Sequence, residues 1–183
     1  MSLLSAGKIE QLLQQNIVVG SRTSHINASS LDITLGNTIL TELKSYRQAI
    51  LDLSKRDPLV TSPIDISQTG YLLEPGEFIL AQSHETFNLP NWLSAEYKLK
   101  SSMARIGLEH LNAGWCDAGW HGSVLTLELK NVTRHHSILL RAGDKIGQMI
   151  FFEHERVPEE YSYATKGTYN NHTTVKGAQR EHD

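Results

Sequence analysis

Apolar and polar positions alternate over most of this chain, and that period of two predicts strands rather than helices. The exception comes first. In Ser5 to Gln15, Ile9, Leu12 and Leu13 recur at helical spacing behind Ser5, which predicts a short surface helix with Ser5 as its N-cap. Leu31, Ile33 and Leu35 then alternate with polar neighbours before Gly36-Asn37, predicting a half-buried strand that ends in a turn. Residues 43–57 fit neither period, because Ile50, Leu51 and Leu53 satisfy neither; Pro58 and Pro63 are expected to break any regular element between there and Tyr71.

From Tyr71 onward the strand pattern persists. Strand residues flank Pro75-Gly76, and Asn88-Leu89-Pro90-Asn91 punctuates the next pair. Ser123–Leu129, His136–Leu140 and Lys145–Phe152 add three more short strands, separated by Asn131-Val132-Thr133 and by Arg141 to Asp144. Many short strands at near-regular spacing predict an all-β barrel or jelly roll. After Glu153 the composition turns polar. Residues 1–162 are therefore expected to form one barrel domain, and 163–183 a flexible C-terminal tail.

Composition narrows the function. A chain of 183 residues with a net charge of −3 suits one domain, and it argues against a general nucleic-acid binder, which carries a basic excess. The single cysteine, Cys116, excludes an intrachain disulfide framework and a CxxC knuckle and fits a reducing compartment. The first residues are too polar for a signal peptide, and no apolar run approaches membrane-spanning length, so the expectation is a cytoplasmic protein without a membrane partner.

Candidate chemistry concentrates between Lys98 and Asn131. Ser101 and Ser102 lie between Lys100 and Arg105; hydroxyls, guanidinium and free backbone N–H groups at a helix start suit a phosphate, and equally suit an ordinary N-cap with solvated cations. Leu125, Leu127 and Leu129 share one strand face, leaving Thr126 and Glu128 on the other. If that face lines a cavity, Glu128 is a desolvated carboxylate suited to proton transfer; periodicity by itself favours an ordinary solvent-facing acid. Asp117 sits among glycines, where turn chemistry is the usual reason. The nine histidines include no His-x-Glu with Pro-Cys-x-x-Cys, the pattern of zinc nucleobase deaminases, and Cys116 has no base placed for it.

Five segments, in order, resemble the dCTP deaminase branch of the dUTPase-like superfamily. INASSLDITLGN (26–37) is similar to the family's PASxDLRLG strand, and LLEPGEFILAQSHETFNLP (72–90) to its PGEFxLAxTxExxxLP hairpin. KSSMARIGL (100–108) resembles RSSLARLGL, AGWCDAGWHGSVLTLELKN (113–131) resembles AGWIDPGFxGxIxLELxN, and AGDKIGQMIFF (142–152) resembles GxxIGQLxFF.

The resemblance implies a distorted β-barrel that forms homotrimers with active sites between subunits. It implies zinc-free hydrolysis of dCTP to dUTP and ammonia, with the nucleotide bound as its magnesium complex and dTTP as a candidate inhibitor. Carried onto this chain, Glu128 is the general acid/base. Ser101 and the Ala113 carbonyl hold the attacking water, and Arg105 orients both water and glutamate. Lys100, Ser101 and Ser102 face phosphates, Asp117 the sugar, and the backbones of Thr126 and Leu127 the pyrimidine.

The alternatives within this reading are a bifunctional enzyme that carries dCTP through to dUMP or a dUTPase-like pyrophosphohydrolase, and, outside catalysis, a nucleotide sensor. Four departures stand out. Lys100 replaces an arginine, Asn112 replaces a threonine, and the stretch before Ala113 is one residue short, with His110 as the candidate for a family histidine used in feedback. The tail motif KYxxQ becomes Thr168 to His172, so Lys166 and His172 are the candidate replacements for its lysine and glutamine, with Tyr163 nearby as part of a lid.

Overall fold

The computed structural model describes residues 2–43 and 50–179. The N-terminal helix is present. After β1 (Ser2–Leu3), α1 (Ala6–Gln14) buries Ile9 and Leu12 against the barrel. The backbone carbonyl of Ser5 accepts from Lys8 and Ile9, while its side chain makes no cap bond. Asn16, at φ 56°, ends the helix in the left-handed conformation, and the Ile17 N–H returns to the Leu12 carbonyl.

The remaining elements are almost all strands: β2 (Val18–Val19), β3 (Leu31–Glu42), β4 (Thr61–Asp65), β5 (Tyr71–Leu73), β6 (Phe78–Asn88) and β7 (Leu93–Leu99). A single helical turn, α2 (Ser101–Arg105), separates these from β8 (Leu108–His110), β9 (Trp115–Cys116), β10 (His121–Asn131), β11 (Ile138–Leu140) and β12 (Lys145–Glu153). The short α3 (Tyr163–Lys166) comes last. Among the described residues the main sheet is antiparallel and runs β8-β10-β6-β3-β12-β7-β9, with β1, β2 and β4 added at its sides; β5 and β11 form a second, two-stranded sheet.

The long sheet curls so that β7, next to one end, approaches β8 at the other. The Tyr97 ring on β7 packs edge-on against the His110 ring on β8, with centroids 4.6 Å apart. The mainly β, barrel-like fold with one short N-terminal helix is therefore as the sequence predicts. Its interior is filled by alternate residues such as Leu31, Ile33, Leu35, Phe87, Leu127, Leu129 and Phe151, all without solvent exposure.

Four local expectations change. The predicted stop at Gly36-Asn37 is a kink inside β3, which continues to Glu42 with a register shift between Leu35 and Ile39. Glycine is needed there because a Cβ would sit 2.7 Å from Gln82 Cγ and 2.9 Å from the Ser83 carbonyl. The first half of β3 is also buried on both faces, because Asp32 and Thr34 point to polar partners inside the molecule rather than to water. Pro63 does not break a strand but lies within β4, which among the described residues pairs only with β3; proline is tolerated on such an edge. The strands flanking Pro75-Gly76 are not a hairpin, since β5 pairs with β11 and β6 with β10 and β3. The ambiguous stretch 43–57 lies partly outside the described residues; its described end carries a 3-10 turn at Leu53–Lys55.

Candidate functional site

A cleft of about 420 Å³ opens on the face of β10 that carries Thr126 and Glu128. Leu127 and Leu129 are fully buried on the opposite face, so the alternation read from the sequence holds from Thr126 onward. A register shift between Val124 and Thr126 lets both Val124 and Leu125 line the cleft as well. The loop after β8 supplies Ala113, β9 supplies Trp115 and Cys116, and the turn beyond supplies Asp117 and Trp120. Trp115 and Asp117 are two residues apart and share a face; the indole N–H donates to Asp117 Oδ1 at 2.8 Å and fixes that carboxylate at the cleft.

Glu128 lies largely inside the protein, and burial raises its pKa above the ordinary carboxylate value. Its Oε2 is shut off from solvent and has no hydrogen-bond partner among the described residues, although His110 Nε2 lies 3.5 Å away. Cys116 is buried, its thiol pushed up to about 12 chiefly by desolvation, which suits packing and not nucleophilic attack at neutral pH. His135 and His136 are exposed in the turn before β11. Among the described residues no three His, Cys, Asp or Glu side chains gather to hold a metal ion.

Residues 163–179, which composition reads as a tail, lie across this cleft. The Trp120 indole N–H donates to the Tyr169 carbonyl at 2.9 Å, and the Val124 N–H to the His172 carbonyl at 2.9 Å. Thr174 Oγ1 and the Val175 N–H both donate to Gln82 Oε1, and Val175 is buried. Tyr163, Tyr169, His172 and Lys176 from this strap line the cleft. The His172 ring meets that of Tyr169 edge-on at 5.8 Å, and burial holds its pKa below the ordinary value, so it is neutral at physiological pH.

The structure thus gathers Glu128, Thr126, Ala113, Asp117, Tyr163 and His172 at one cleft. Other expected residues lie elsewhere within this chain. Ser101, Ser102 and Arg105 are exposed on α2 and do not line the cleft; Leu127 belongs to the core. Lys100 Nζ is 2.5 Å from Asp32 Oδ1, in an ion pair that also takes in Lys145 at 2.9 Å. Lys166 stands over the Tyr161 ring, 4.7 Å from its centroid. Two contributors escaped the sequence reading, and a third, His110, was read only as a feedback candidate. Lys176 is the lone lysine or arginine lining the cleft among the described residues, and no pattern in the tail singles it out. Trp115 was legible in principle through its period-two relation to Asp117. His110 reaches Glu128 because Leu129 is its register partner on β10, a pairing invisible in one dimension.

A family model described as dCTP deaminase-like matches residues 3–154. The chain is 35% identical to the dUMP-forming dCTP deaminase of Methanospirillum hungatei, over 80% of this chain and 77% of that one. It is 34% identical to the protein of the same description from Coprothermobacter proteolyticus, over 97% of this chain and 95% of that one. Among solved structures, the 2'-deoxycytidine 5'-triphosphate deaminase of Agrobacterium tumefaciens superposes with a TM-score of 0.64 at 25% identity, covering 81% of this chain. This chain spans about half the length of that one, 47%.

Proposed function

Since the chain belongs to the dCTP deaminase-like family, we propose that it is an enzyme that deaminates dCTP and carries the nucleotide on to dUMP, releasing ammonia and pyrophosphate. The observation that carries this reading is Glu128, a carboxylate with a raised pKa at the wall of a cleft sized for a small ligand. Attack of water at carbon 4 of cytosine needs a base for the water, then an acid for N3 and the departing ammonia. One glutamate serves in turn if its pKa lies near the working pH, and such proton transfer contributes about 10²–10⁴ in rate. The Ala113 carbonyl helps fix the water, and the backbone along Thr126 and Leu127 reads the pyrimidine edge.

The dUMP end point replaces the dUTP expected from the motifs, and it rests on the similar proteins named above, which are described as dUMP-forming. In that second step Asp117, clamped by Trp115, orients water toward the α-phosphate. Magnesium enters with the triphosphate as part of the substrate, and the deamination is zinc-independent, with water oriented by protein groups instead of acidified by a metal.

We further read the site as shared between copies of this chain in a homotrimer. Ser101, Ser102 and Arg105 are exposed on α2, off the cleft that holds Glu128, and a neighbouring copy would present them to it. The strap from Tyr163 to Gln179 then acts as the lid, with Lys176 rather than Lys166 as its phosphate-facing cation.

Incubation with dCTP and magnesium tests the chemistry. Ammonia and pyrophosphate released in equal amounts with dUMP are expected. Ammonia with dUTP alone would remove the second step, and no ammonia would overturn the assignment. Activity is expected to survive a zinc-selective chelator. Light scattering should give a trimer mass, and mixing inactive Glu128→Gln with inactive Arg105→Ala subunits should restore part of the activity. A monomer, or a mixture with no recovery, contradicts the shared site.

A further inference from the structure

Two buried polar atoms face each other behind the cleft. His110 Nε2 and Glu128 Oε2 are 3.5 Å apart, and neither has a hydrogen-bond partner among the described residues. Orphaned buried polar atoms are rare because each forfeits its interaction with water. A neighbouring pair, one able to donate and the other to accept, points to a function for the contact. The rest of Glu128 is open to the cleft, with about a quarter of the side chain exposed, which leaves Oε1 as the oxygen available to a ligand.

We propose that His110 is a positioning residue for Glu128: its Nε2–H holds Oε2 against the barrel wall and presents Oε1 to the substrate. The imidazole is itself held in place. Its side chain is 3% exposed, its ring packs edge-on against Tyr97, and strand pairing opposes it to Leu129, next to Glu128. Burial keeps it neutral at physiological pH, so it contributes a donor without adding a charge.

A donor at Oε2 favours the ionised carboxylate and opposes the desolvation that protonates it. The contact therefore settles two properties together, the aim of the reactive oxygen and the fraction of Glu128 ready to accept a proton. The other ionisable groups around the pair are Glu109 beside His110, Lys98 and Tyr97 on β7, and Cys116 on β9. Tyr97 and Cys116 are pushed up by burial and stay protonated, so neither competes as a base near neutral pH.

The catalytic part of this inference rests on the deaminase reading; the pairing does not. In the full-length wild type, long-range ¹⁵N–¹H spectra should show His110 as the Nε2–H tautomer, with that nitrogen shifting in Glu128→Gln. An Nδ1–H tautomer, or no shift, overturns the pairing, and neither result depends on whether a His110 variant folds.

Titration of the Glu128 carboxyl by ¹³C NMR should move upward by about one pH unit in His110→Leu and return toward the wild type in His110→Gln, whose amide supplies a donor near the same place. Turnover of dCTP should fall about tenfold in His110→Leu with little change in KM, and His110→Gln should recover most of it. A residue that merely filled space would lower the melting temperature without moving the Glu128 titration. Ammonia release with an unmoved titration refutes the inference alone. A moved titration without ammonia release from the wild type refutes the deaminase reading and supports the pairing.

Discussion

Glu85 and Glu128 sit on adjacent strands of one barrel, and burial pushes both carboxyls above their ordinary pKa. Their surroundings are opposite. Glu85 has no solvent exposure, and Thr34 serves it with both donors: the backbone N–H reaches Oε2 at 3.0 Å and the hydroxyl reaches Oε1 at 2.8 Å. Glu128 keeps one oxygen open to a cleft, and the other lies near a single histidine without a formed hydrogen bond. The first acid ties β6 to β3. The second has at most one loosely placed donor, which is what the proton transfer proposed for it would require. Desolvation is common to both, so a raised pKa alone does not mark a reactive acid; incomplete hydrogen bonding beside a cavity does.

The contrast breaks most visibly at Glu128. Glu128→Gln should lower deamination by about 10²–10⁴ while leaving the protein at least as stable at neutral pH, measured by ammonia release and thermal melting. The sign comes from its raised pKa. The folded state holds the Glu128 proton more tightly than the unfolded chain, so Glu128 contributes a loss of stability as pH rises from the unfolded carboxylate value, about 4.3, through the folded one. The glutamine variant should lack that loss. A variant of full activity, or one markedly destabilised, would erase the distinction between the two acids.

Glu85 should behave in the opposite manner. Glu85→Leu strands the Thr34 N–H and hydroxyl in the interior and should cost about 2–4 kcal/mol in urea unfolding, with turnover per folded molecule retained.

A third acid extends the comparison. Burial alone would raise the Asp32 pKa, yet hydrogen bonds from Lys100, Asn27 and Lys145 outweigh it and hold the carboxyl down at about 2. Its contribution, about 2 kcal/mol, is present above the unfolded carboxylate value and should vanish as pH falls from about 4 through 2. Asp32→Asn should remove that acid-side loss, and an acid unfolding profile shared with the wild type would show the network to be inert.

The smallest expected effect is at the strap. Lys176→Ala should raise KM for dCTP about three- to tenfold with no change in thermal stability, because the cation is solvated before it meets a phosphate. The same substitution at Lys166, which faces Tyr161, should leave KM unchanged.

Much of this molecule was legible in one dimension. The period of two located most of the longer strands, including the run that carries Thr126 and Glu128 on one face, because a strand alternates sides whatever its neighbours are. The helix ending at Gln14 was legible from its apolar spacing, and the family from motifs whose residues lie close together in sequence. Glu85 was not singled out, for its strand offers no sign of which partner lies opposite. Only the sheet decides that Thr34 faces it.

What tertiary structure alone decided are the partners. A charge in a sequence reads as free until folding sets another beside it, so Lys100 read as a phosphate ligand and is found paired with Asp32. The tail read as frayed because its composition is polar, yet its backbone finds Trp120, Val124 and Gln82. His110 and Glu128, eighteen positions apart, meet because β8 lies against β10. Local pattern reports which way a side chain points; the partner it meets depends on strand pairing and sheet curvature, which arise from contacts distant along the chain.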